Sequence, residues 1–78
     1  MNDTQKLVDM NLPPLIQSRA TSHLERIARA ADNASRTLAG ERAAGFVEGL
    51  EAARALTPAT IEALFLIFDD ATDSHPAR

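Results

Sequence analysis

The sequence predicts an all-α fold: a small three-helix bundle or helical hairpin with a short additional helix at the N-terminus, completed by homodimerisation. Breakers fall at Pro13-Pro14, Gly40, Thr57-Pro58 and Pro76, and between them apolar residues recur at intervals of three and four instead of alternating. Alanine, the strongest helix former, is abundant after the proline pair. The chain has 78 residues, 45% of them hydrophobic. A chain of this size buries only about 60% of its unfolded surface, too little for a second core or a deep catalytic cleft. The expected organisation is an arm or short helix over residues 1–13, one helical domain over 14–72, and a flexible tail over 73–78.

Asp3 is placed to cap a short helix over residues 4–11, whose apolar residues are Leu7, Val8 and Met10. The proline pair ends that helix and starts the next, because proline is tolerated in a first turn but disfavours helix in the residue before it. From residue 14 to about 39, Ile16, Ala20, Leu24, Ile27, Ala31, Ala34 and Leu38 follow one another at spacings of four or three. That spacing makes a narrow seam. Arg19, Arg26, Arg29 and Arg36 fall on the opposite face, with Glu25 and Asp32 beside them. A helix of this length would be nearly 40 Å long, which a domain so small accommodates best beside a second protomer. Asn33 and Ser35 are the weak point of the segment, where a kink or a break into two helices is the alternative to one continuous helix.

Gly40 stands where a C-terminal cap is expected, and Glu41 opens a second helix to about residue 56. Its inward face is Ala43, Phe46, Val47, Leu50 and Ala53. Gly45 and Gly49 sit on its shoulder and each costs about 1 kcal/mol of helix propensity relative to alanine. Close approach of another backbone is the expected reason for keeping them, and flexibility is the competing one. Thr57 and Pro58 form the clearest local signal, a hydroxyl cap followed by proline at the first helical position. The third helix then faces inward with Ile61, Leu64, Phe65, Phe68 and Ala71, widened by Ile67, while Leu66 points toward Glu62, Asp69 and Asp70.

Cysteine is absent, which removes disulfides, thiolate nucleophiles and cysteine-rich zinc sites together. His23 and His75 are far apart in the sequence, and His23 is expected to be a surface histidine on an amphipathic helix. Asp69, Asp70 and Asp73 lack the alternating ligand pattern and turning glycine of a calcium loop. No nucleophile elbow or phosphate-cradling glycine loop is present. The chain is therefore expected to be non-enzymatic, with no cofactor and no metal. No apolar run approaches the roughly 18 to 20 residues needed to span a bilayer, the N-terminus lacks the layout of a secretory signal, and the alanine-rich seam is too small for strong membrane insertion. The expected setting is the cytoplasm, without membrane association. A usage rich in alanine and arginine but with a single lysine hints at a GC-rich bacterial or phage source.

A chain with no chemistry of its own acts by occupying a surface. The leading expectation is a protein that binds another protein as an inhibitor, anti-activator or adaptor, in the manner of a phage- or plasmid-type accessory regulator. Arg19, Arg26, Arg29 and Arg36 are the candidates for contact with an acidic partner, and Asp69, Asp70 and Asp73 for a basic one. Phe65, Leu66, Ile67 and Phe68, with Gly45 and Gly49, are the candidates for self-association as a homodimer. The plain alternatives are that the charges serve solubility and the apolar set is ordinary core. The other function class is a nucleic-acid-associated regulator that contacts RNA or DNA through the arginine face of residues 14–39. It is disfavoured by the net charge of −3 and by a third helix that presents hydrocarbon and carboxylates where a recognition helix needs polar and basic groups.

Overall fold

Proline and short polar side chains divide the chain into four helices. In a computed structural model, which describes residues 3–73, these are α1 (Asp3–Asp9), α2 (Pro14–Arg29), α3 (Asn33–Ala52) and α4 (Pro58–Asp73). No strand occurs among the described residues. The short N-terminal helix is an integral part of the packing. Leu7 of α1 is wholly buried, and α1 lies against both α2 and α4. It ends where Asn11 takes a left-handed φ of 54°, a conformation asparagine tolerates better than most residues. The Asn11 amide donates to the Val8 carbonyl at 3.3 Å, and Leu12 is buried in the core that also contains Leu7. Pro14 then opens α2 as expected.

Residues 14–39 form two helices instead of one continuous helix, and the break falls beside the weak point at Asn33 and Ser35. α2 stops at Arg29, Ala30 is extended, and Asp32 caps a new helix by accepting a 2.8 Å hydrogen bond from the Ser35 amide. The reason is local competition. An aspartate side chain satisfies one of the orphan amides at a helix start, and so offers the backbone an alternative to helix continuation. Nothing apolar opposes the break, because Ala31, Ala34 and Leu38, the last three members of the expected seam, are exposed. Burial resumes at Ala43. The charge face is divided too: Arg19, Arg26 and Arg29 lie on α2, while Arg36 lies on α3 and donates to Asn33 Oδ1 at 2.7 Å.

Gly40, expected as a helix end, lies inside α3. Its missing side chain lets α3 and the end of α4 approach closely: a Cβ built there would collide with Thr72 Oγ1 and stand 2.8 Å from Thr72 Cγ2. Thr72 is held in place because its hydroxyl donates to the Phe68 carbonyl at 2.7 Å. The close approach expected of Gly45 and Gly49 is therefore made by Gly40, and nothing lies within 4 Å of a Cβ at either of the other two. The C-terminus of α3 closes with the Arg54 amide donating to the Glu51 carbonyl and the Ala55 amide to the Leu50 carbonyl, both at 3.0 Å. This paired arrangement requires a left-handed residue, usually glycine, and here Arg54 occupies it at φ 56°.

α4 starts as the sequence predicts, with the Thr57 hydroxyl accepting from the Thr60 amide at 3.2 Å and Pro58 at the first helical position. It supplies Ile61, Leu64, Ile67 and Phe68 to the core, more than any other helix. Ala20, Leu24 and Ile27 of α2 and Ala43 and Val47 of α3 complete the interior, and among the described residues no polar or charged one is buried with them.

Two stability measurements follow from these backbone features. Gly40→Ala is expected to lower the unfolding free energy by about 1–3 kcal/mol through overpacking, against a helix-propensity gain of about 1 kcal/mol, and Thr72→Ala in the same chain should recover most of the loss. Arg54→Gly is expected to raise stability by about 1 kcal/mol by relieving left-handed strain. Urea midpoints at constant m-value read both.

Candidate protein-interaction surface

Leu66 stands outside the core because it is two residues, about 200° of helix rotation, beyond the buried Leu64. It is 61% exposed. On one side of it, between α1 and α4, lies a groove of about 670 Å³ with Met10, Ala63 and Ile67 in its lining and Asp9, Asp69 and Asp70 at its edges. On the other side, where the end of α3 meets the start of α4, a second hollow of about 330 Å³ is lined by Pro58, Ile61 and Phe65 and edged by Glu51 and Glu62. Leu66 borders both and forms an apolar ridge between them.

The residues singled out from the sequence for self-association divide by burial. Ile67 and Phe68 belong to the core at 7% and 2% exposure, and Phe65 is half-buried. Leu66 is the large apolar side chain of the set that is mostly exposed. Gly45 and Gly49 are exposed on α3. Of the acidic set, Asp69 and Asp70 edge the α1–α4 groove, whereas Asp73 shares a small cleft of about 200 Å³ with Arg36, Asn33 and Thr72. The two charge sets thus meet at Arg36 and Asp73. Arg19, Arg26 and Arg29 are exposed along α2, and the one ion pair among the described residues is elsewhere, between Lys6 and Asp3 at 3.6 Å.

The contributions of α1 were missed by the sequence reading. Met10 and Asp9 form the far wall of the groove, and Val8 is 52% exposed although its neighbour Leu7 is wholly buried. The signal was present in part, since on a helix over residues 4–11 Val8 lies about 100° of rotation from Leu7 and Met10 about 300° from it, so the three apolar residues spread over more than one face. Among the described residues no group of three His, Asp or Glu side chains is placed to hold a metal ion. No described helix is long and apolar enough to cross a membrane.

His23, expected at the surface, is half-buried. Its ring lies 5.0 Å from that of Phe46 and 6.3 Å from that of Phe68, the latter edge-on. The buried Nδ1 has no hydrogen-bond partner among the described residues. Burial disfavours the imidazolium, and the Arg26 charge adds to the effect, so the pKa is held below the ordinary 6.5. A proton is then bound more readily by the unfolded chain than by the folded one. Stability is accordingly full above pH 6.5 and declines as the pH falls through the window between 6.5 and the lower folded-state value. Asp32 is also held below its ordinary 3.8, chiefly by the Ser35 amide, but its contribution is lost only in a more acidic range. The melting temperature should therefore begin to fall below about pH 6.5 in the natural chain, and His23→Phe should flatten that part of the profile; an unchanged profile in the variant would assign the decline to other groups.

Comparison of the chain with protein-family models, with curated proteins and with solved structures found no match.

Proposed function

We propose that this protein is a non-enzymatic helical binding protein that acts by occupying the surface of another protein, as an inhibitor, anti-activator or adaptor. The observation that carries the proposal is the exposed Leu66 ridge with an apolar hollow on each side. A single exposed leucine is ordinary on any surface. A leucine flanked by concavities that other apolar side chains can enter is a surface prepared for a protein contact, because burying the ridge and filling the hollows removes hydrocarbon from water on both partners. The division of the arginines weakens the nucleic-acid alternative, since it leaves three of them in line on α2 with Glu25 interspersed.

The test is affinity co-purification of the tagged chain from its host, with and without nuclease, using the natural chain, Leu66→Glu, and a chain with Arg19, Arg26 and Arg29 changed to glutamine. A nuclease-resistant protein held in near-stoichiometric amount and lost with Leu66→Glu is the expected result. Material released by nuclease and lost with the arginine substitutions would overturn the reading in favour of nucleic acid.

A further inference from the structure

We infer, resting on that binding role, that the Leu66 ridge and its two hollows dock a basic amphipathic helix of another protein. The chemistry of the rim selects this partner. Asp9, Asp69 and Asp70 edge the hollow on the α1 side, and Glu51 and Glu62 edge the one on the α3 side. The cation among the lining residues is Lys6, whose ammonium already faces Asp3 at 3.6 Å. Five carboxylates around one committed lysine give the site a larger negative charge than the −3 of the entire chain. A partner must therefore bring large apolar side chains for the hollows and positive charge for the rim.

Other occupants fit less well. A second copy packed face to face across a two-fold axis would press one acidic rim against another, and like charges brought together in an interface oppose association. Phosphate would meet the same carboxylates. The dimensions suit a helix: at 1.5 Å per residue, Pro58 to Asp70 extends over about 18 Å, or a little over three helical turns of a partner laid along α4. Apolar side chains at three- and four-residue spacing can sit on both flanks of Leu66, and lysines or arginines on the bordering positions then reach the carboxylates.

The test uses the full chain and a fluorescein-labelled synthetic peptide of about 14 residues, long enough for nearly four turns. The peptide is built of leucine at helical spacing and lysine elsewhere. Its counterpart carries glutamate in place of lysine. Fluorescence anisotropy should show binding of the lysine peptide and none of the glutamate peptide. Leu66→Ala should weaken binding by about tenfold, as expected of a central apolar anchor. Asp69→Asn with Asp70→Asn should weaken it several-fold and reduce its salt dependence. Glu25→Gln and Glu48→Gln, at exposed carboxylates bordering neither hollow, should leave it unchanged.

Equal binding by the natural chain and Leu66→Ala, or equal loss from Glu25→Gln and Glu48→Gln, would reduce the attraction to general charge and overturn the inference. A Leu66-dependent dimer in sedimentation without peptide would overturn it in favour of a second copy. If the lysine peptide fails to bind while a host protein still co-purifies through Leu66, the basic-helix assignment falls and the binding role stands.

Discussion

Covering α4 is the constraint on which the fold depends. Ile61, Leu64, Ile67 and Phe68 are all buried on this one helix, and together they occupy too wide an arc for a single neighbour to shield. α1, α2 and α3 each pack against it. Short as it is, α1 contributes to this cover, since it packs against α4 and its Leu7 is wholly buried in the core. A hairpin of α2 and α3 alone would leave part of that apolar surface in water.

The same demand explains why the chain breaks after Arg29. Had α2 continued through residue 39, its last turns would have carried Ala31, Ala34 and Leu38 away from the core, and α3 could not have reached α4 from the side it now covers. The Asp32 cap starts the next helix by satisfying the Ser35 amide, and the chain turns back within three residues. α3 then runs alongside α4 so closely that Gly40 faces Thr72 with no room for a side chain. The helix boundary and the glycine contact are thus two parts of one arrangement. His23, beside Phe46 and Phe68, marks where α2, α3 and α4 converge.

Covering α4 from the inside leaves its outer face as the distinctive surface of the molecule. Leu66 is kept out of the core by helix geometry alone, but the hollows beside it exist only because α1 and the end of α3 rise as walls. Exposed apolar residues elsewhere, such as Leu15 at 68% and Leu38 at 49%, do not border either of these hollows. The carboxylates on the rim come from α1, α3 and α4, so the negative character of the site is a property of the assembled fold rather than of one helix.

By itself the sequence determined the helical class, the start of α2 at Pro14, the start of α4 at Thr57-Pro58, the inward face of α4 and the outward position of Leu66. These are set by local stereochemistry and by rotation about one helix axis, both of which are carried within a few residues. The tertiary structure decided that the seam over residues 14–39 breaks before Asn33, because its last members, Ala31, Ala34 and Leu38, stay exposed and bury too little area to outweigh a cap. It also decided which glycine mattered, since Gly40, Gly45 and Gly49 all lie within α3 and only the position of Thr72 on another helix distinguishes them. The burial of His23 and the joining of Asp9, Met10 and Leu66 into one groove were likewise decided there. Contacts between residues so distant in the chain depend on how whole helices pack, and a pattern read along one helix does not contain that information.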